Sequence, residues 1–352
     1  MTVLTDVHPE PAPDDLEPPG RPSSPSRRKR RHHARVPLLV ALAMVLLAEL
    51  GVRALDPPAP LEFSSDEAQV KAEELAAFGA AGGGGTVFVG SSVADVALDP
   101  ARFSRSTGGE PAYNAALLGA DLRSMEQWIE HIVVPDAAPS RVVLALNCRE
   151  LNGAESAQDV YFHDFAGAPA MARLRGEERP LDRLDRWASR WSELVRYRSV
   201  VRTPGSLFGD DRRSGVNLEL AAGGYNAAYR DRAYPAPADL HEVLFPGDIA
   251  NFEIGPELVA ALDRTLARLQ AQGIDAVVVH MPVTEDWLSY LPGREAYQEC
   301  DRMMADRAAA GGATFVEGRV LDRSLFADPI HVNGAGSAQV TDDLAAALGA
   351  AG

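Results

Sequence analysis

The chain of 352 residues has only two cysteines, Cys148 and Cys300, and only two lysines, Lys29 and Lys71. Two thiols so far apart make no Cys-x-x-Cys pair, no zinc-ligand spacing and no disulfide framework. In an exported body they could pair, and their sequence separation leaves that open. Arg supplies every other basic residue, which with abundant Ala and Gly marks a GC-rich bacterial coding sequence and carries no chemistry. His131, His163 and His241 fall at no metal-ligand spacing, so neither metal nor cofactor is expected. The glycine-rich stretch 79–85 precedes its strand, whereas a dinucleotide fingerprint follows one. Positive charge is scarce as well. From residue 56 onward, 26 Lys and Arg stand against 44 Asp and Glu. So acidic a body repels phosphate backbones, which excludes nucleic acid as a partner.

Long apolar runs are absent with one exception. Val36 to Ala48 is an unbroken apolar stretch of 13 residues, extended to Leu55 with Glu49 and Arg53 as its polar interruptions. Residues 36–55 together reach the ~20 residues that a membrane-spanning helix needs. Glu49 and Arg53, at i and i+4, can pair at the far interface. Residues 21–35 ahead of the run hold seven basic side chains and no acidic one, which places the N-terminus in the cytoplasm and the rest of the chain outside. A buried core helix is disfavoured by that flank. Val52-Arg53-Ala54 offers small residues at signal-peptidase positions, so a cleaved signal peptide is the rival of an uncleaved single-pass anchor. The length of the basic region and the continuation past Ala48 favour the anchor. Ser26-Arg27-Arg28 is discounted as a twin-arginine signal, because Arg30 and Arg31 follow where apolar residues belong.

Residues 1–35, rich in Pro, Ser and charge, are expected to be a disordered cytoplasmic tail, and 56–84 a stalk. Within the stalk, Ser64 and Glu67 are spaced as a capping box for a short helix to about Phe78. From Thr86 onward short apolar strands alternate with amphipathic helices, which predicts an α/β fold with a parallel sheet covered on both faces. An apolar content of 46% suffices for one large core. The strands are expected at Thr86–Val89, Arg141–Leu146, Ala276–His280 and Thr314–Val316. The helices are expected at about Asp121–Val134, Pro256–Gln272, Arg294–Ala310 and Gly336–Leu348. The rhythm breaks between 151 and 251, which reads as an insertion capping the site. Its Arg-rich segment 181–202 is helical in pattern, with Leu181, Leu184, Trp187, Trp191, Leu194 and Tyr197 on one face; such a helix is more often a solvated or membrane-facing surface than a ligand site.

Four pieces bear on chemistry. Gly90-Ser91-Ser92 turns off the end of the first strand, where ligands gather in an open parallel sheet and a hydroxyl is placed to attack a bound acyl group. Serines there are also common helix caps. Asp328-Pro329-Ile330-His331, before the last helix, sets a carboxylate beside an imidazole so that one can orient the other. Gly119 lies just ahead of a helix, where its N–H could point at an oxyanion or the residue could merely permit a turn. Asn147 ends the second strand, either as a further oxyanion donor or as a turn residue. Arg149, Glu150 and His280 stand at the same sheet edge as candidate cleft residues, with Ser91, Arg149 and His280 as candidate substrate contacts; His280 reads equally as a satisfied strand-end histidine.

Together these residues resemble the SGNH (GDSL-type) hydrolases, named for a Ser, a Gly, an Asn and a terminal Asp-x-x-His, in family order over roughly 86–349. The chain departs from the family at two points. Ser91 stands in the slot of the family's Asp, and Ala145-Leu146-Asn147-Cys148 replaces the Gly-x-Asn-Asp block. The N-terminal anchor with its Glu49/Arg53 end and the segment Leu194-Val195-Arg196-Tyr197-Arg198 resemble the membrane-anchored branch, which includes the D-alanyl transfer protein of teichoic acid synthesis and the alginate O-acetyltransferases. The resemblance implies a flavodoxin-like three-layer α/β/α sandwich over 85–352. It implies a catalytic triad of Ser92, Asp328 and His331, with the N–H groups of Ser92 and Gly119 and the Asn147 amide as oxyanion hole. It also implies an acylated envelope glycan or other acyl ester as substrate, with a polytopic acyl-transfer membrane protein as partner of a transferase. An inactive SGNH-fold scaffold or glycan-binding protein is the alternative.

Overall fold

The computed structural model describes residues 27–55, 61–154, 156–198, 219–235, 252–289 and 294–350, the side chains of 27–35, 156–158 and 350 excepted. Five short strands, β1 (Thr86–Gly90), β2 (Ala112–Asn114), β3 (Arg141–Leu146), β4 (Asp275–His280) and β5 (Thr314–Val316), form one all-parallel sheet in the order β2-β1-β3-β4-β5. All of β1 is buried, as is every residue of β3 and β4 beyond the first. Successive strand side chains point to opposite faces, so burial of all of them means that both faces are covered by helices. The fold is therefore a three-layer α/β arrangement, as the alternating pattern predicts.

The covering helices are amphipathic in the expected register. In Pro256–Ala271, which Pro256 opens, Leu258, Ala261, Leu262, Thr265, Leu266 and Leu269 are buried at three- and four-residue spacing. Arg294–Ala310 and Gly334–Ala350 also lie where the sequence puts them. The helix expected over 121–134 is α-helical only for Leu122–Trp128 and continues in the wider π form through Ile129–Ala137, where Pro135 has no N–H to donate. Strand β2 is a finding beyond the sequence pattern; its three residues are too few to show a period.

This order puts a topological switch between β1 and β3. The chain leaves β1 for β2 on one side and returns to β3 on the other, and the crevice outside the carboxyl ends of such a strand pair is where open α/β sheets bind ligands. Gly90 closes β1 there. A Cβ on it would lie 2.4 Å from the Ala145 carbonyl oxygen of β3 and 2.5 Å from the Ala94 methyl, so glycine alone lets the following helix sit directly over the sheet edge.

Outside the sheet and its covering helices, the organisation differs from expectation in four places. One helix, Arg27–Leu55, takes in residues 27–35 of the stretch expected to be disordered; its segment Val36–Leu55 is long and apolar enough to cross a membrane. Residues 1–26 of the expected tail lie outside the described residues. The expected stalk contains a helix, Asp66–Ala80, that belongs to the body, since Ala68, Ala72 and Leu75 join the main core. Its cap is Ser65, which accepts from the Ala68 N–H at 3.1 Å, and not Ser64; Glu67 is thereby turned inward and buried. The Arg-rich segment is broken into Pro180–Ser189 and a short turn, Glu193–Arg196, rather than one helix, and 199–202 lies outside the described residues.

We expect Gly90→Ala to fold with a stability loss of roughly 1–3 kcal/mol, the usual cost of overpacking, measured by urea unfolding of the detergent-solubilised chain. An unchanged midpoint would mean that the helix after β1 has room to move.

Candidate active site

Ser92 is the first residue of a short helix, Ser92–Ala97, whose N-cap is Ser91. Its N–H is among the four amides that a helix leaves without an intrahelical acceptor. Across the sheet edge, the loop 326–333 brings back the Asp-x-x-His. This loop is closed on itself, with the Ala327 N–H donating to the His331 carbonyl at 2.8 Å and Thr284 Oγ1 donating to the Pro329 carbonyl at 2.9 Å. Asn333 ends it, holding the Ser324 carbonyl at 2.8 Å and accepting from the Gly336 N–H at 3.1 Å.

The result is a hydrogen-bonded chain. Ser92 Oγ lies 2.8 Å from His331 Nε2, and His331 Nδ1 lies 2.7 Å from Asp328 Oδ2. Asp328 Oδ1 also accepts from the N–H groups of Ile330 at 3.0 Å and His331 at 2.8 Å. Burial pushes the Asp328 carboxyl up, but the His331 ring and these backbone donors outweigh it and hold the group below the ordinary carboxylate value. With a carboxylate on Nδ1, the network assigns the proton to Nδ1 and leaves Nε2 to accept from the serine.

Asn147 caps the turn Cys148–Leu151 through its Oδ1, which accepts from the Arg149 N–H at 3.1 Å. Its Nδ2 is buried without a hydrogen-bond partner. A buried amide left so costs on the order of 1–3 kcal/mol, so the orphan asks for an explanation beyond capping. Gly119 is exposed and holds φ +77°, a left-handed backbone, with the Tyr161 ring 3.3 Å from where a Cβ would sit. It lies two residues before Asp121, which caps the helix Leu122–Trp128.

Ser91, expected as a substrate contact, is buried and engaged by Glu150. Its hydroxyl donates to Glu150 Oε1, while Glu150 Oε2 accepts from the Asn147 N–H at 2.5 Å. Glu150 thus ties the turn after β1 to the turn after β3. Burial lifts its carboxyl to about 7 against the opposing pull of those two donors. Arg149 is half-buried on the same turn. His280 does not line the cleft. Its buried ring gives Nδ1 to Asp301 at 2.7 Å, sets Nε2 3.7 Å from Cys148 Sγ, and packs on Tyr297 with centroids 4.4 Å apart. Of its two readings, the satisfied strand-end histidine is the one that holds. Cys148 and Cys300 are free thiols that meet in the core, and burial, then the Cys300 thiol, pushes Cys148 well up.

Three positioning groups escaped sequence reasoning. Lys71 Nζ is wholly buried, 2.5 Å from Asp95 Oδ1, 2.5 Å from the Ala116 carbonyl and 3.3 Å from Glu67 Oε1. Burial would lower its pKa, but the Asp95 and Glu67 charges raise it. Burial first, against the pull of Lys71, lifts Glu67 to about 7 and raises Asp95. Asn114 Nδ2 donates to the carbonyls of Ala94, Asp95 and Leu98, holding the helix of Ser92 on β2. From the insertion, Asn226 Nδ2 donates to Asp95 Oδ2 at 2.8 Å and the Tyr229 ring packs on His331 with centroids 5.0 Å apart. The one available signal was the rarity of lysine itself. Among the described residues, no group of His, Cys, Asp and Glu is arranged to hold a metal ion.

Compared with known proteins, the chain matches no family model and no curated protein. Solved structures do align with it. The lipase/acylhydrolase from Enterococcus faecalis is 10% identical over 76% of this chain and 96% of that one, with a TM-score of 0.38. A GDSL-like lipase from Bacteroides thetaiotaomicron VPI-5482 is 12% identical over 81% of this chain and 100% of that one, also with a TM-score of 0.38.

Two outcomes follow from these contacts. Lys71→Met should lower stability by roughly 3–5 kcal/mol, because it leaves buried carboxyls without their cation; denaturant unfolding measures this, and a loss under ~1 kcal/mol would show the cluster to be dispensable. Glu150, with its pKa raised on folding, stabilises fully below the usual carboxylate range and loses that contribution as pH rises through about 7. Stability should therefore fall between pH 6 and 8 by on the order of 1 kcal/mol more in the parent than in Glu150→Gln. Parallel pH profiles would show that Glu150 does not titrate there.

Proposed function

We propose that the chain is a membrane-anchored serine esterase or O-acyltransferase of the SGNH type, working outside the cytoplasm on acyl esters, acetyl above all, of cell-envelope glycans. The observation that carries this reading is the Ser92–His331–Asp328 chain, with contacts of 2.8 and 2.7 Å, at the carboxyl edge of the sheet. An alcohol is a poor nucleophile unless a base takes its proton, and here the base is in reach and oriented by a buried carboxylate.

In the first step Ser92 Oγ bonds to the acyl carbon while its proton passes to His331 Nε2. The negative charge that grows on the carbonyl oxygen is met by the N–H groups of Ser92 and Gly119 and by Asn147 Nδ2, whose lack of any partner fits a donor kept for an oxyanion. As the intermediate collapses, the bond to the leaving oxygen breaks and that oxygen takes the proton from Nε2. Water, or a sugar hydroxyl, then gives its proton to His331 Nε2 and bonds to the acyl carbon; the bond to Ser92 Oγ breaks, Oγ takes the proton back from Nε2, and an acid or a new ester is released. Asp328 stays ionised throughout and holds the ring in its tautomer. In the transferase case the acyl group would reach Ser92 from a polytopic acyl-carrying membrane protein. The basic block ahead of Val36–Leu55 supports a cytoplasmic N-terminus and a body outside.

A fluorophosphonate probe and a small activated acetyl ester test this on the full chain. Ser92→Ala should abolish labelling and turnover, and His331→Ala nearly so. Asp328→Asn should lose up to ~10⁴-fold, and Asn147→Ala about 10²–10³-fold in kcat. If the parent neither labels nor turns over while folding normally, the enzyme reading fails and a glycan-binding scaffold takes its place.

A further inference from the structure

The anchor helix and the insertion are joined. Glu49 Oε2 accepts from Ser192 Oγ at 2.8 Å and from the Leu194 N–H at 3.0 Å, and Glu49 Oε1 accepts from the Glu193 N–H at 2.9 Å. Arg53, paired with Glu49 at 2.9 Å, donates to the Trp191 carbonyl at 3.3 Å. Val52 packs with Tyr197 and Leu194 in a small core of their own. Glu49 to Arg53 are in the last two turns of the apolar span Val36–Leu55, within ~9 Å of its end at 1.5 Å rise per residue. The segment 191–197 is therefore held at the depth where the span meets the interface.

Directly before it runs the helix Pro180–Ser189, in which no residue is buried. Leu181, Leu184 and Trp187 recur at i, i+3 and i+6, and Trp191 follows one turn on. All four are between 58% and 76% exposed, an apolar stripe with nothing of the described body upon it. Residues 178–198 carry six arginines against four carboxylates, in a body that is otherwise strongly acidic. Tryptophan, leucine and arginine on one short helix are the composition of a segment lying in a bilayer interface.

We infer that the Leu181–Leu184–Trp187–Trp191 stripe is a second membrane contact, seated in the headgroup–acyl boundary of the same bilayer that the N-terminal helix spans. The occupant is lipid because the stripe runs directly into the segment 191–197, which Glu49, Arg53 and Val52 hold against the last turns of the apolar span. Its excess of arginine favours an anionic surface. The inference rests on the anchored reading of Val36–Leu55.

The chain carries its own reporters. Of four tryptophans, Trp128 and Trp287 are buried in the core and Trp187 and Trp191 are exposed. The full chain is reconstituted into phosphatidylcholine–phosphatidylglycerol vesicles whose acyl chains carry bromine near the headgroup or near the terminal methyl, and tryptophan emission is read. Shallow bromines should quench roughly half of the emission, and deep bromines distinctly less. Trp187→Phe with Trp191→Phe should remove that quenching while probe labelling of Ser92 is unchanged. Emission indifferent to both bromines, in protein that resists alkaline carbonate extraction, overturns the second contact and leaves the anchor standing. Protein that carbonate removes overturns both. Indifferent emission with shielded tryptophans and crosslinked copies would assign the stripe to a second chain and likewise overturn the lipid assignment.

Discussion

One buried ammonium holds the parts of the site in place. Lys71 reaches from the helix Asp66–Ala80 to Asp95, on the helix that begins with Ser92, and to the Ala116 carbonyl, on the segment leading to Gly119. Three separate pieces of chain are thus referred to one nitrogen atom. A guanidinium would not do the same task, since its planar fork spreads its donors where the site gathers acceptors around a point. This gives a physical reason for lysine at 71 in a chain that otherwise uses arginine almost throughout. Glu150 makes the equivalent tie on the other side of the crevice, between the turns after β1 and β3. Both ties are ionisable groups taken out of water, which costs free energy unless the geometry is good. The fold accepts that cost where atoms must be positioned closely.

What could be read in the sequence follows from how local each signal is. The strand β3 and the Asp328–His331 pair are local patterns: an apolar run of fixed length, and two residues that one turn sets side by side. Gly90-Ser91-Ser92 was legible for the same reason, as a turn off a strand. Strand β2 was not, because three residues carry no period, and its place beside β1 is decided by pairing. The capping position was missed by one residue, since Ser64 and Ser65 offer the same side chain and only the packing of Glu67 against Lys71 selects between them.

The positioning residues were illegible for a stronger reason. Lys71, Asp95, Asn114, Asn226 and Tyr229 come from remote stretches, and no spacing rule links them; they become a group only once the sheet has assembled. Asn147 shows the complementary case. Its position at a strand end was visible, but a satisfied cap and an unsatisfied amide are the same letter in a sequence, and only the structure shows that its Oδ1 is engaged while its Nδ2 is not. Burial likewise separates the two readings of His280, whose ring has both nitrogens engaged beneath the sheet edge.

The joint at Glu49 ties one segment of the insertion to the N-terminal helix. Two elements joined by a slack linker turn independently, whereas four hydrogen bonds and a packed valine fix the segment 191–197 against the last turns of this helix. Motion of the helix then becomes motion of that segment. A stiff joint gives up reach and gains aim: the apolar stripe that runs into this segment keeps one direction relative to the helix.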